Sequence, residues 1–373
     1  MTLQFERDQK IGKKIPKAGG NTFPRHQDTV CWRDRRGITR LNRNDERRPP
    51  NLSKRHNGPP TEQRPTCYLR YEELSTPQLE AIDKDRAVVL LPLGPLEEHG
   101  PHLPFGVDAF NADFFADEVA RMIAELDPAI TVVRLPVLYL GTHVYRFGGS
   151  LWARQRVVRD AVVDYGRSLV RHGFKKIIII SAHGGPRHFV ALDEAARIVS
   201  RRGARMISLT SRVIVDFLLG RYVEAISERM GTPLSAEEKK TLTMDYHGGW
   251  WETSMMLWLK PHLVDPMYKT LSPALVPHHR LRPNSPLVTG PGLGYLGAPA
   301  KASAEFAHAS IAALRVEIGR MLREFLAGTL EVKSVRSQLY YVPLLRTNYK
   351  RWLWGIGMCI AGLAAVLLLL WNR

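Results

Sequence analysis

The sequence predicts a three-layer α/β/α domain built on a parallel sheet, with one transmembrane helix after it. Three observations lead there. Strand-like runs at 87–91, 130–135, 175–181 and 204–209 alternate with segments whose apolar residues recur at helical spacing. The runs Ala87-Val88-Val89-Leu90-Leu91 and Ile177-Ile178-Ile179-Ile180 are apolar throughout, the composition of strands covered on both faces. Residues 352–371 are twenty positions without a charge.

In chain order, residues 1–66 carry 16 Lys and Arg against 7 Asp and Glu, a net of +9 out of the formal +17. Pro, Gly, Asn and Arg dominate, and apolar periodicity is absent. Such a segment buries too little apolar surface to offset its ordering entropy, so disorder is expected. Its charge suits anionic lipid headgroups. Phosphate contacts also need only Lys and Arg, but no nucleic-acid-binding fold accompanies them, and nucleic acid is not the expected partner. The first fifteen residues lack the apolar core of a secretory signal.

A single domain is expected over 67–328. Its helices are read from Phe115, Val119, Met122 and Leu126, and from Val158, Val162, Tyr165 and Leu169. A last amphipathic helix carries Ile311, Leu314, Ile318, Met321 and Phe325, with Gly328 as its stop. Residues 329–351 form a juxtamembrane linker. The 352–371 stretch then spans about 30 Å as a helix, the thickness of a bilayer's hydrocarbon core. Trp352, Trp354 and Trp371 sit where interfacial aromatics belong. Lys333, Arg336, Arg346, Lys350 and Arg351 precede the span and Arg373 follows it, so the positive-inside rule places the 67–328 domain in the cytoplasm. Cys31, Cys67 and Cys359 form neither a metal pair nor a disulfide framework, which is compatible with a reducing compartment.

Chemistry gathers where these strands end. Glu97-Glu98-His99-Gly100-Pro101-His102-Leu103-Pro104 follows the first run directly, and Asp108 lies nine residues after His99. Open α/β sheets bind ligands at the carboxyl ends of their strands. Asp, Glu and His are together the ligand set for Zn²⁺, Mn²⁺ or Fe²⁺. On an extended backbone Glu97 and His99 would point to the same side. The 175–181 run leads into His183-Gly184-Gly185, an imidazole on a tight turn. A third cluster, His247-Gly248-Gly249-Trp250-Trp251-Glu252-Thr253-Ser254, adds one more imidazole and one more carboxylate. Each cluster alone has an ordinary structural reading, such as a solvated loop or a carboxylate favoured by a helix N-terminus. Their joint presence favours a metal site.

These ordered motifs resemble the creatininase (creatinine amidohydrolase) family, and the likeness runs through a glycine-rich stretch at 290–299. The resemblance implies a paired divalent centre, zinc, manganese or iron, bridged by Asp108. Glu97 and His183 would complete one metal's ligands, and His99 would bind the other. Creatinine hydrolases add a glutamate at the position of Gly185, so this chain departs from them and matches the His-Gly-Gly subgroup, with Pro186 where that subgroup usually has Asn. Glu252 or water is left to supply the missing ligand, with Glu252 preferred. The implied chemistry is hydrolysis of a small-molecule cyclic amide or formamide by metal-activated water. His247 is the candidate for protonating the leaving nitrogen, or else a histidine orienting a ligand. Trp250 and Trp251 are candidate pocket walls, and His102 either lines the pocket or holds the loop. A homo-oligomer is also implied. The competing expectation is a binding or scaffold protein on the same fold without turnover.

Overall fold

The computed structural model describes residues 67–201, 203–277, 280 and 293–371. The basic segment 1–66, the first part of the 290–299 stretch and Arg373 lie outside the described residues. Among the described residues six strands form the sheet: β1 (Leu69–Arg70), β2 (Ala87–Gly94), β3 (Thr131–Arg134), β4 (Leu138–Tyr139), β5 (Lys176–Ile180) and β6 (Arg205–Ser208). Their order is β1-β3-β2-β5-β6, with β4 paired to the end of β2, and every pairing is parallel.

Side-chain alternation along the two central strands sorts the core into two layers. On one face Val88, Leu90, Ile178 and Ile180 pack against α2 (Val107–Leu126), α8 (Trp250–Leu259) and α9 (Ala304–Ala327). On the other, Val89, Leu91, Ile177 and Ile179 meet α3 (Gln155–Arg171) and α4 (Pro186–Ser200). The parallel sheet expected from the apolar runs is therefore covered on both faces. Burying each such isoleucine is worth about 1.5–3 kcal/mol.

Two helical stripes extend further in the sequence than in the structure. Leu126, at the end of α2, is 37% exposed and Tyr165 of α3 is 43% exposed, because residues at the edge of an amphipathic stripe clear the sheet. The α9 stripe from Ile311 to Phe325 is buried throughout, and the helix ends at a left-handed Gly328.

The stretch 329–351 is docked on the domain. The Ser337 N–H donates to Asp193 Oδ2 at 3.1 Å, and Arg346 Nε meets Glu194 Oε1 at 2.6 Å, so both α4 carboxylates are engaged. Gln155 Nε2 donates to the Leu345 carbonyl at 2.7 Å. A 23-residue apolar helix, Tyr349–Trp371, follows with mean hydropathy 2.4 over its best window and no burial by the rest of the chain. Among the described residues it is the one helix long and apolar enough to cross a membrane.

Candidate metal centre

Four segments bring the site together. β2 delivers the loop carrying Glu97 and His99, β5 delivers His183, and the first turn of α8 presents Glu252. Asp108 stands in the first turn of α2, which returns against the end of β2. A Cβ on Gly94 would lie 2.9 Å from the backbone of Asp108 and Ala109. Only glycine lets the strand end and the helix start approach this closely.

All the ligand-type side chains are buried: His99 is inaccessible, Glu97 and Asp108 are 1% exposed, and His183 and Glu252 are 4% and 8% exposed. Glu97 and His99 lie in the loop beyond β2. Both side chains reach one site, with their ligand atoms within 4.8 Å of each other. Glu97 Oε2 faces His183 Nδ1 at 3.1 Å, while His99 Nε2 faces Glu252 Oε2 at 3.6 Å. Asp108 lies between them, with Oδ2 3.2 Å from His183 Nδ1 and Oδ1 3.7 Å from His99 Nε2. Ligand atoms of Glu97, Asp108 and His183 all fall within 4.8 Å of one another, as do those of His99, Asp108 and Glu252. One carboxylate is thus shared by two acid–imidazole groups. A third such group joins Glu97, His99 and His247.

The second nitrogen of each imidazole fixes its tautomer. His99 Nδ1 lies 2.8 Å from the Glu97 carbonyl oxygen, and His183 Nε2 lies 3.0 Å from that of Thr142. A carbonyl only accepts, so each of these nitrogens carries hydrogen and the opposite nitrogen turns toward the carboxylates. Backbone acceptors orient metal-binding histidines in this way. Glu97 Oε2, His99 Nε2 and Asp108 Oδ2 are buried atoms without a hydrogen-bond partner. Facing electron pairs of this kind call for a shared cation. The donor set fits a divalent metal pair.

Without metal, protons take that role. Burial opposes charge on His99, but Glu252 and Asp108 raise its pKa to about 10. His183 is also raised well above 6.5, with burial outweighed by Asp108 and Glu97. Burial would raise Asp108, yet His183 and His99 hold it well below the usual carboxylate range. Burial pushes Glu252 up to about 7 against the pull of His99.

The remaining sequence candidates separate. His247 Nε2 lies 2.6 Å from the Glu98 carbonyl oxygen, and its ring lies 4.1 Å from that of His99. Burial and His99 keep its pKa well below 6.5, so it is neutral, with hydrogen on Nε2. Trp251 lines a pocket beside His247 and Glu252. Trp250 does not: its indole packs 4.8 Å from Phe306 in the core. Successive helical residues point about 100° apart, so the pair cannot share one wall. His102 is buried and its Nε2 lies 2.8 Å from Thr253 Oγ1, tying the first loop to α8.

Two contributors carried no sequence signal. The loop 142–145 supplies the Thr142 carbonyl to His183 and the Tyr145 N–H to Glu97 Oε1. Between them His143 has φ 64°, the one positive value among described non-glycine residues, a conformation typical of strained functional loops. Asp245 is the other. Its carboxylate accepts from the N–H groups of Trp250 at 2.6 Å, Trp251 at 2.9 Å and Ala298 at 3.2 Å. Those bonds cap α8 and so fix Glu252 in its first turn. Burial still pushes Asp245 up to about 6. Aspartate before a helix is too common a pattern to mark this role.

A parallel α/β domain with a buried carboxylate–imidazole cluster at its strand ends defines a metal-binding hydrolase class. This chain belongs to the creatininase family: the family model, described as creatininase (creatinine amidohydrolase), matches residues 72–322. It is 28% identical to creatinine amidohydrolase of Pseudomonas putida over 246 residues, covering 62% of this chain and 88% of that protein. It is 31% identical over 99 residues to a mycofactocin precursor peptide peptidase of Mycolicibacterium smegmatis, covering 26% of this chain and 40% of the peptidase. Among solved structures, a manganese creatininase superposes with TM-score 0.51 at 23% identity, covering 69% of this chain and 98% of its own. A mutant creatininase of Zn-Zn type gives TM-score 0.50 at 25% identity, covering 69% and 98%.

Proposed function

We propose that this protein is a membrane-anchored amidohydrolase that cleaves a C–N bond of a small cyclic amide or formamide with the help of two divalent ions. The observation that carries this reading is the sharing of Asp108 between two acid–imidazole groups in which Glu97 Oε2, His99 Nε2 and Asp108 Oδ2 are buried without a hydrogen-bond partner. Glu97, Asp108 and His183 would hold one ion, and His99, Asp108 and Glu252 the other. Such a pair supplies an activated water and a Lewis acid for the carbonyl. Relatives named as an amidohydrolase and a peptide peptidase support a C–N bond as the target. Creatinine itself is disfavoured, because Gly185 offers no carboxylate. The solved relatives with manganese and with zinc support either metal.

The chain's own residues have defined work in this scheme. Glu98's carbonyl holds the His247 Nε2 hydrogen, leaving Nδ1 of the neutral ring to accept the proton given up by the attacking water and deliver it to the leaving nitrogen. Thr142, Tyr145 and Asp245 hold His183, Glu97 and α8 in register. His247→Ala is expected to lower amide or formamide hydrolysis by about 10²–10⁴-fold, with metal content per chain unchanged. Full activity in that variant would remove His247 from proton transfer, and loss of metal would make it a ligand.

The apolar helix Tyr349–Trp371 is read as the anchor, with the cations before it holding the catalytic domain on the cytoplasmic side. The full chain should stay in the membrane pellet after alkaline extraction, and a chain lacking 352–371 should be released. Release of the full chain would contradict anchoring.

A further inference from the structure

The loops around the metal centre carry exposed apolar side chains. Phe105 is 45% exposed, Leu151 63% and Trp152 49%. They belong to one surface. The Glu97 N–H donates to the Phe105 carbonyl at 2.9 Å, the Leu151 N–H donates to the carbonyl of the adjacent Leu96 at 2.8 Å, and the Phe105 ring closes on Gly149. The exposed Arg146 lies 5.3 Å from the centre of the Trp152 ring, and Arg154 is exposed two residues further on.

The apolar helix Tyr349–Trp371 begins beside this surface. Gln155, four residues after Leu151, donates to the Leu345 carbonyl at 2.7 Å and accepts from Arg187 Nη1 at 3.3 Å. The Arg187 guanidinium lies 5.3 Å from the centre of the Tyr349 ring, and its backbone N–H reaches His143 Nδ1 at 3.5 Å. One residue thus touches both the start of the helix and the loop that holds His183 and Glu97. Tyr341 and Leu344, just before the helix, are 57% and 59% exposed.

Resting on the anchor reading above, we propose that the carboxyl end of the sheet lies against the membrane. Phe105, Leu151 and Trp152 then enter the headgroup boundary, and Arg146 and Arg154 meet anionic headgroups. Aromatic and aliphatic side chains edged by arginine suit that layer. A bilayer is favoured over a second copy of the chain because the chain's own candidate span starts at this face.

The metal-loaded full chain would be reconstituted in vesicles of phosphatidylcholine and phosphatidylglycerol, with photoreactive p-benzoylphenylalanine in place of Leu151, of Phe105 or of Asp85. Asp85 is exposed at the opposite end of the sheet, the eight-residue length of β2 or about 26 Å away. Flotation with the vesicles and metal content would be measured on each protein. After illumination, lipid adducts at both loop positions are expected at a yield at least about tenfold that at Asp85. Adducts to a second copy of the chain in place of lipid would overturn the placement and make the surface a subunit contact. Equal lipid yields at all three positions, or none, from a chain that floats would overturn it while leaving the anchor standing. A chain that fails to float overturns the anchor and the placement together.

Discussion

Replacing Asp108 by alanine is expected to take divalent metal from the proposed two ions per chain to fewer than one, and to lower hydrolysis by more than about a thousandfold. The size of the effect follows from position. Asp108 is the single residue common to both acid–imidazole groups, with one carboxylate oxygen turned to His183 and the other to His99. Losing it would remove a ligand from each of the two proposed ions, together with a negative charge that both share. Elemental analysis of the purified variant checks this. Unchanged metal content in Asp108→Ala would falsify the shared-carboxylate arrangement.

Gly185→Ala is the second large effect, and its cause is steric. A Cβ there would lie 2.5 Å from His183 Nε2 and 3.0 Å from the His143 carbonyl oxygen. His183 cannot simply rotate away, because the Thr142 carbonyl holds that same nitrogen. The clash should displace the imidazole, remove the ion shared with Glu97, and cost about 1–3 kcal/mol of stability. Thermal unfolding and metal analysis together read both effects. Native stability with full metal content would show that the loop yields, and that close approach is not why glycine stands here.

Much of this was legible in the sequence, for physical reasons. Strands buried on both faces must be apolar throughout, so β2 and β5 announced themselves, and parallel strands put their ligand-bearing loops at one end. Glu97, His99, Asp108, His183 and Glu252 were each identifiable as ligand-type residues just past an apolar run or near a helix start. What stayed hidden depends on backbone groups. The Thr142 carbonyl and the Tyr145 N–H are available on any residue type, so the 142–145 loop leaves no compositional mark. Asp245 acts through three backbone N–H groups supplied partly from Ala298, a partner 53 residues away. The two adjacent tryptophans could not be told apart by composition, although helical geometry requires them to face differently. Residues 329–351 read as a linker because their buried apolar side chains, Leu330, Val335 and Tyr340, are spaced too irregularly to show a helical or strand period, and their polar bonds go to distant Asp193, Glu194 and Gln155.

Metal content per chain of the full-length protein, measured beside Glu252→Ala, tests the central claim most directly. The arrangement predicts about two ions in the wild type and about one in the variant, since Glu252 serves only the group containing His99. A wild type that holds no metal after reconstitution with zinc, manganese and iron would contradict the hydrolase reading, and would favour a scaffold built on the creatininase fold.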